Sequence, residues 1–149
     1  MPALPPPVRE LIAAVRDGVA AAGPEPAGEA FEEAVGRVAA LDPPLVAEVL
    51  GGTVRSLLEE RHPDGLDADD LRAVLEGSCR QPGADPEVML VVLTGALGLT
   101  AEEVPAVPSA AVARHALLLV AHLTGGRPPG AHLDAAVAEL ARAQTVEMP

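Results

Sequence analysis

Seven segments with helical spacing of apolar residues, separated by proline and glycine, constrain the fold of this chain more than any other feature. Within each segment, apolar residues recur every three or four positions, which is the period of an α-helix. Proline and glycine interrupt the pattern between segments. We therefore predict an all-α fold, a single-domain irregular bundle of six or seven short helices. The segments cover approximately residues 8–21, 28–40, 43–61, 68–79, 86–99, 109–123 and 129–144.

The fifth segment, Pro86–Leu99, is apolar on all sides. A helix without a polar face is expected to be buried, so we predict that this helix (about 86–99) lies at the centre. Val91 and Val92 would also suit a short buried strand, but no other segment offers a partner strand. We expect one domain over 1–149, with a flexible proline-rich lead over 1–7 and a flexible tail over 145–149.

The hydrophobic core has few aromatic residues available to it. The chain has no Trp or Tyr and a single Phe, Phe31, so Leu, Val and Ala must fill the core. Small residues let helices approach closely. Glycines inside helices lower helix stability by about 1 kcal/mol each, which suggests a packing role for those found there. The predicted helix crossing points are Gly51, Gly52, Gly95 and Gly98.

The chain is strongly acidic, with a net charge of −12. All ten positive residues are Arg, and the absence of Lys and Asn indicates a G+C-rich bacterial gene. An acidic protein is poorly suited to nucleic acid, which binds through Lys and Arg, and to anionic membranes. We therefore predict no nucleic acid and no membrane as partner, and consider a basic protein partner.

Nothing in the sequence points to secretion or to a membrane span. The first residues lack a positively charged start and an apolar run of the kind found in signal peptides. The longest uncharged apolar run, Val88–Ala101, has 14 residues, whereas a span needs about 20. The single cysteine, Cys79, excludes an internal disulfide. A cytoplasmic location is expected.

One cluster of acidic residues stands out between the third and fourth helices. Its spacing does not match a calcium-binding loop, so no metal is predicted. Asp67 and Asp70 have the spacing of a capping box at a helix start, which explains part of the cluster without any partner. The alternative is a patch that faces solvent or a basic partner, formed by Glu59, Glu60, Asp64, Asp67, Asp69 and Asp70.

Catalytic motifs are scarce. His115 and His122 lie seven residues apart on one helix, which differs from the i, i+4 spacing of helical zinc ligands. No nucleophile elbow or phosphate-binding glycine loop occurs, and Ser56 has no evident histidine partner. No cofactor is predicted. An enzyme would have to use Arg114, His115 or His122 together with acids from other helices.

Two non-enzymatic functions remain. The leading hypothesis is a homodimeric interaction or assembly protein whose self-interface lies on the fifth to seventh helices, because residues 88–149 carry only 8 of the 32 charged side chains. The alternative is a module that binds a small apolar ligand, since a core without aromatic rings can leave a cavity. Its predicted lining is Met89, Leu93, Arg114, His115, Leu117, Leu118 and His122.

Overall fold

The computed structural model describes residues 4–22, 28–99 and 106–147, and their regular secondary structure is entirely helical. The predicted all-α bundle is confirmed. The predicted lead (1–7) and tail (145–149) fall partly outside the described residues; α1 already begins at Pro6, and α7 continues to Glu147. The helices are α1 (Pro6–Ala21), α2 (Glu29–Ala39), α3 (Pro43–Arg61), α4 (Ala68–Cys79), α5 (Pro86–Ala96), α6 (Ser109–Thr124) and α7 (Gly130–Glu147).

Local chemistry accounts for several helix ends. Proline occupies the first turn of α1, α3 and α5, where its missing N–H removes no helical hydrogen bond. The predicted capping box is present at α4: Asp67 accepts from the Asp70 backbone N–H at 2.8 Å, and Asp70 accepts from the Asp67 N–H at 3.1 Å. At α5, Asp85 accepts from the Glu87 N–H at 2.9 Å.

The helix at the centre of the bundle is α6, so the prediction that the helix at about 86–99 takes this place is wrong. α6 packs against α1, α2, α3, α4 and α5. Its buried residues include the unbroken run Leu117–Val120, which is fully inaccessible to solvent. Residues 116–123 of α6 form a mostly apolar run, as α5 does. The sequence therefore does not show which of the two helices is surrounded by the others.

α5 lies at the side of the bundle and shows part of its apolar surface to solvent. Met89 and Leu93 are buried, but Leu90 is 47% exposed, and Val91 and Val92 are only half-buried. Uniform apolarity along a segment reports how much apolar surface it has, not how many helices surround it. Over residues 4–22, 28–99 and 106–147, no helix is both long and apolar enough to cross a membrane.

Glycines permit close helix contacts at two of the four predicted crossing points. A Cβ on Gly52 would lie 3.0 Å from the Ala136 Cβ of α7, and one on Gly51 would lie 3.7 Å from the Ala96 Cα of α5. The prediction is wrong for Gly95 and Gly98, where an added Cβ meets nothing within 4 Å. Gly98 instead has a φ of +72° just after α5, a conformation that glycine adopts without strain.

We expect Gly52→Ala to destabilise the protein by about 1–2 kcal/mol, because overpacking outweighs the gain in helix propensity. The Ala136 Cβ is attached directly to a helix backbone and cannot rotate away. Gly36→Ala in α2 is the matched control, because nothing lies within 4 Å of the added methyl group. It should stabilise by up to about 1 kcal/mol. Urea unfolding of both variants measures the difference; equal effects would contradict the close α3–α7 contact.

Candidate functional site

An apolar cleft of about 330 Å³ opens between the end of α2, the first part of α3, α5 and the start of α6. Among its lining residues Ser109 is the one with a polar side chain; the others are Val, Leu, Ala, Pro or Gly. A concave, mostly apolar site of this size is typical of small-molecule pockets. We call it the apolar cleft; its walls include Leu41, Val46, Leu50, Gly51, Val54, Val91, Val92, Gly95, Ala96, Val112, Ala113 and Ala116.

The cleft exists because short aliphatic side chains line both of its sides. Ala96 of α5 and Ala113 and Ala116 of α6 are buried, and each contributes only a methyl group to the lining. Val91 and Val92, on the same helix as Ala96, are half-buried. No aromatic ring contributes to the lining, so an aliphatic ligand finds matching surfaces whereas an aromatic one has no ring to stack on.

None of the seven residues predicted to line a ligand pocket lines this cleft. Met89, Leu93, Leu117 and Leu118 are instead fully or almost fully buried in the core. The apolar wall that α5 contributes to the cleft comes from Val91, Val92, Gly95 and Ala96. The aliphatic composition of the core predicts that a gap can form between the helices. Which residues surround the gap depends on how the helices pack.

His115 is buried between α5 and α6, where it connects the two helices. Its Nε2 accepts from the backbone N–H of Asp85 at 2.8 Å, and its Nδ1 lies 2.7 Å from the carbonyl oxygen of Ala111. An amide N–H only donates and a carbonyl only accepts, so the ring is neutral with its proton on Nδ1. Both nitrogens are occupied by structural hydrogen bonds.

Arg114 points to α2 and forms a bidentate pair with Glu32. Both guanidinium terminal nitrogens donate to the carboxylate, with an Nη2–Oε2 distance of 2.7 Å. The hydrogen bond from Arg114 lowers the pKa of Glu32 below its ordinary value. The guanidinium of Arg114 therefore already holds a carboxylate of the chain itself.

His122 lies in a different place, half-buried against α4. A Cβ on Gly77 would lie 2.6 Å from the Cε1 atom of His122. The His122 ring therefore occupies the space that a side chain on residue 77 would need. His122 also borders a shallow hollow with Arg61, His62 and Asp70. Arg114, His115 and His122 thus have different neighbours, and the described structure does not bring them together as one catalytic group.

His122 should make the protein less stable below about pH 6.5. Burial, followed by the charges of Arg61 and Arg80, lowers the pKa of His122. Below the unfolded-state pKa of about 6.5, the unfolded chain binds a proton that the native state takes up less readily, so stability is lost as the pH falls. We expect His122→Gln to lose less stability than the wild type between pH 7.5 and 5.5.

Urea unfolding at pH 7.5, 6.5 and 5.5 measures this effect as the difference between wild type and His122→Gln. The carboxylates are common to both proteins and cancel in that difference. A difference that stays constant over this pH range, or that changes in favour of the wild type at low pH, would contradict the lowered pKa.

The residues of the acidic patch are mostly on the surface, and several have partners within the chain. Asp67 and Asp70 form the capping box, and Asp69 lies 3.3 Å from the Arg72 guanidinium. Glu59 and Asp64 are exposed. Helix capping thus explains two of the six acids, and docking of a basic partner stays a prediction for the patch as a whole.

The sixth acid, Glu60, belongs to a hydrogen-bonded trio that sequence reasoning missed. The Ser56 hydroxyl lies 2.7 Å from His132 Nδ1, and His132 Nε2 lies 2.6 Å from Glu60 Oε2. Ser56 and Glu60 share one face of α3 because they are four residues apart. His132 comes from α7, 76 residues along the chain, so no local pattern could have indicated the contact.

The trio pairs a hydroxyl, an imidazole and a carboxylate, which is the order of groups that activates a serine nucleophile. Two features oppose that role. The Glu60 side chain is 67% exposed, so water competes for its carboxylate. A hollow beside His132 is lined in part by Gly125 and Arg127. The backbone N–H groups of residues 125–127 donate to carbonyls at the end of α6, which leaves them unavailable to an oxyanion. We interpret the trio as a structural contact that links α3 and α7.

A structural contact between α3 and α7 should contribute to stability, and its serine should not react as a nucleophile. We expect His132→Ala to destabilise by about 1 kcal/mol, the usual net value for such partly exposed hydrogen bonds. A serine-directed fluorophosphonate probe should leave Ser56 unlabelled, as judged by peptide mass spectrometry. Labelling of Ser56 in the wild type that disappears in His132→Ala would contradict this interpretation and show an activated serine.

Other chemistry is limited in the part of the chain that the structure describes. No group of three or more His, Cys, Asp or Glu side chains there is arranged to hold a metal ion. Burial raises the pKa of the Cys79 thiol, which disfavours the reactive thiolate. The apolar cleft is therefore the candidate functional site.

Comparison with models of known protein families finds no match for this chain. Comparisons with curated proteins and with solved structures also find none.

Proposed function

We propose that this protein binds a small aliphatic ligand in the apolar cleft. The observation that carries the proposal is a cavity of about 330 Å³ whose side chains are almost all apolar. Burying about 200 Å² of apolar ligand surface would provide roughly 5 kcal/mol at 25 cal/mol/Å². The entropy lost on association offsets part of this, so dissociation constants of about 1 mM are expected.

The size of the cleft sets the size of the ligand. A methylene group is similar in size to a water molecule, which occupies about 30 Å³ in the liquid. A volume of about 330 Å³ therefore corresponds to a chain of roughly ten carbons. The larger hollow beside Glu60 and His132, about 490 Å³, has Arg61 and Arg127 in its lining; such a polar surface favours water over hydrocarbon.

Gly95 provides a direct test of the cleft. It lines the cleft, and a Cβ built on it meets nothing within 4 Å. We therefore expect the side chain of Gly95→Leu to occupy part of the cleft. Gly36→Leu is the matched control, because Gly36 is equally open but lies on α2 outside the lining. We expect Gly95→Leu to weaken binding of octanol, decanol and dodecanol at least tenfold, and Gly36→Leu to leave it unchanged.

Isothermal titration and ligand-induced changes in melting temperature measure these affinities. A wild-type protein that binds none of the three alcohols would contradict the proposed function. So would a Gly95→Leu variant that binds them as the wild type does. A native mass spectrum of the purified protein adds an independent readout, because a retained ligand appears as extra mass.

Self-association stays a prediction, and one argument for it has another explanation. The low charge of residues 88–149 was the reason to place a self-interface on α5 to α7. Part of this region is α6, which has few charged residues because other helices of the same chain bury it. Exposed Leu90 and Leu99 are what the structure adds in favour of an interface. A cytoplasmic location and a basic partner also stay predictions.

A further inference from the structure

One positively charged side chain, Arg55, contacts residues that line the apolar cleft without itself being part of the lining. The Arg55 Nη1 donates a hydrogen bond to the Ala96 carbonyl oxygen at 2.6 Å. The same nitrogen would lie 3.4 Å from a Cβ on Gly51. Ala96 and Gly51 both line the cleft. The guanidinium therefore lies where α3 and α5 meet, at the edge of the cleft.

Arg55 retains capacity to bind an anion. A guanidinium carries five N–H donors, and one of them is used on the Ala96 carbonyl. Within the described residues, Arg55 forms no ion pair with a carboxylate, whereas Arg37 and Arg114 each have acidic partners at 2.7 Å. Arg55 is also exposed, so it is open to a ligand that arrives from solvent.

The start of α6 adds a second feature of the same sign. Ser109, the first residue of α6, lines the cleft. No side chain caps this helix start, and its first turn contains no acidic residue. The free N–H groups of a helix start carry partial positive charge and favour a nearby anion. An otherwise apolar cleft is thus bordered by a guanidinium and a helix start.

We propose that the ligand of the cleft is a linear aliphatic carboxylate of about ten carbons, with its tail in the cleft and its carboxylate on Arg55. This inference rests on the proposed function. The tail supplies apolar burial, and the carboxylate forms charge-assisted hydrogen bonds with the guanidinium. The net charge of −12 repels anions at long range, so the preference for an acid depends on this local contact.

Decanoate and decanol separate the two parts of the inference, because they share a tail and differ in the headgroup. We expect decanoate to bind the wild type about tenfold more tightly than decanol at pH 7.5, as measured by isothermal titration. Arg55→Met should abolish this preference and keep the affinity for decanol. Retained decanol binding shows that the cleft of the variant is intact. Arg55→Lys should keep part of the preference.

Arg9→Met is the control for net charge. It removes one positive charge from an exposed position on α1, so Arg9→Met and Arg55→Met have the same net charge. We expect Arg9→Met to retain the wild-type preference for decanoate. Loss of the preference in both variants would show a general charge effect and overturn the role of Arg55.

The outcomes distinguish this inference from the proposed function. If the wild type binds decanol as tightly as decanoate, or if Arg55→Met keeps the preference for decanoate, the carboxylate inference is overturned and ligand binding in the cleft stands. If neither compound binds the wild type, the proposed function fails, and the inference fails with it.

Discussion

The burial of α6 among five other helices is the constraint on which the rest of the structure depends. Its residues Leu117–Val120 have no solvent exposure, and in the absence of Trp and Tyr the helices around it pack mainly with Leu, Val and Ala. Burial requires hydrogen-bond partners for His115, because a buried polar group without a partner is costly, whereas the side chain of Arg114 stays partly exposed. Arg114 pairs with Glu32, and both ring nitrogens of His115 bind backbone groups. These contacts make both residues structural.

The apolar cleft also results from the small size of the side chains that pack around α6. The first turns of α6 contribute Ala113 and Ala116 to the lining, and α5 packs against α6. Short side chains on neighbouring helices bring backbones close at some points, as at Gly52, and leave a gap at others. The gap is aliphatic because the core is aliphatic. Arg55 at its edge is held by the Ala96 carbonyl at the end of α5, and the proposed preference for a carboxylate depends on this placement.

Local features were predictable, and contacts between distant segments were not. The seven helices and the Asp67–Asp70 capping box follow from interactions within a few residues, which the sequence displays directly. The central position of α6 depends on which helices surround it. So does the trio of Ser56, Glu60 and His132: the first two share a face of α3 by spacing alone, but the partner from α7 is set by packing. The residues that line the cleft were not predicted, because the sequence does not show which helices pack against each face of α5.

The sequence by itself determined that this chain is all-helical, acidic and limited to one aromatic side chain, Phe31, for its core, because helix propensity, charge and side-chain volume belong to residues rather than to their arrangement. It therefore also determined that a gap within the hydrophobic core would have a mostly aliphatic lining. Only the tertiary structure decided where that gap lies and that Arg55 stands at its edge. The physical reason is that helix packing matches side chains across the space between segments, and that match depends on the positions of all seven helices at once.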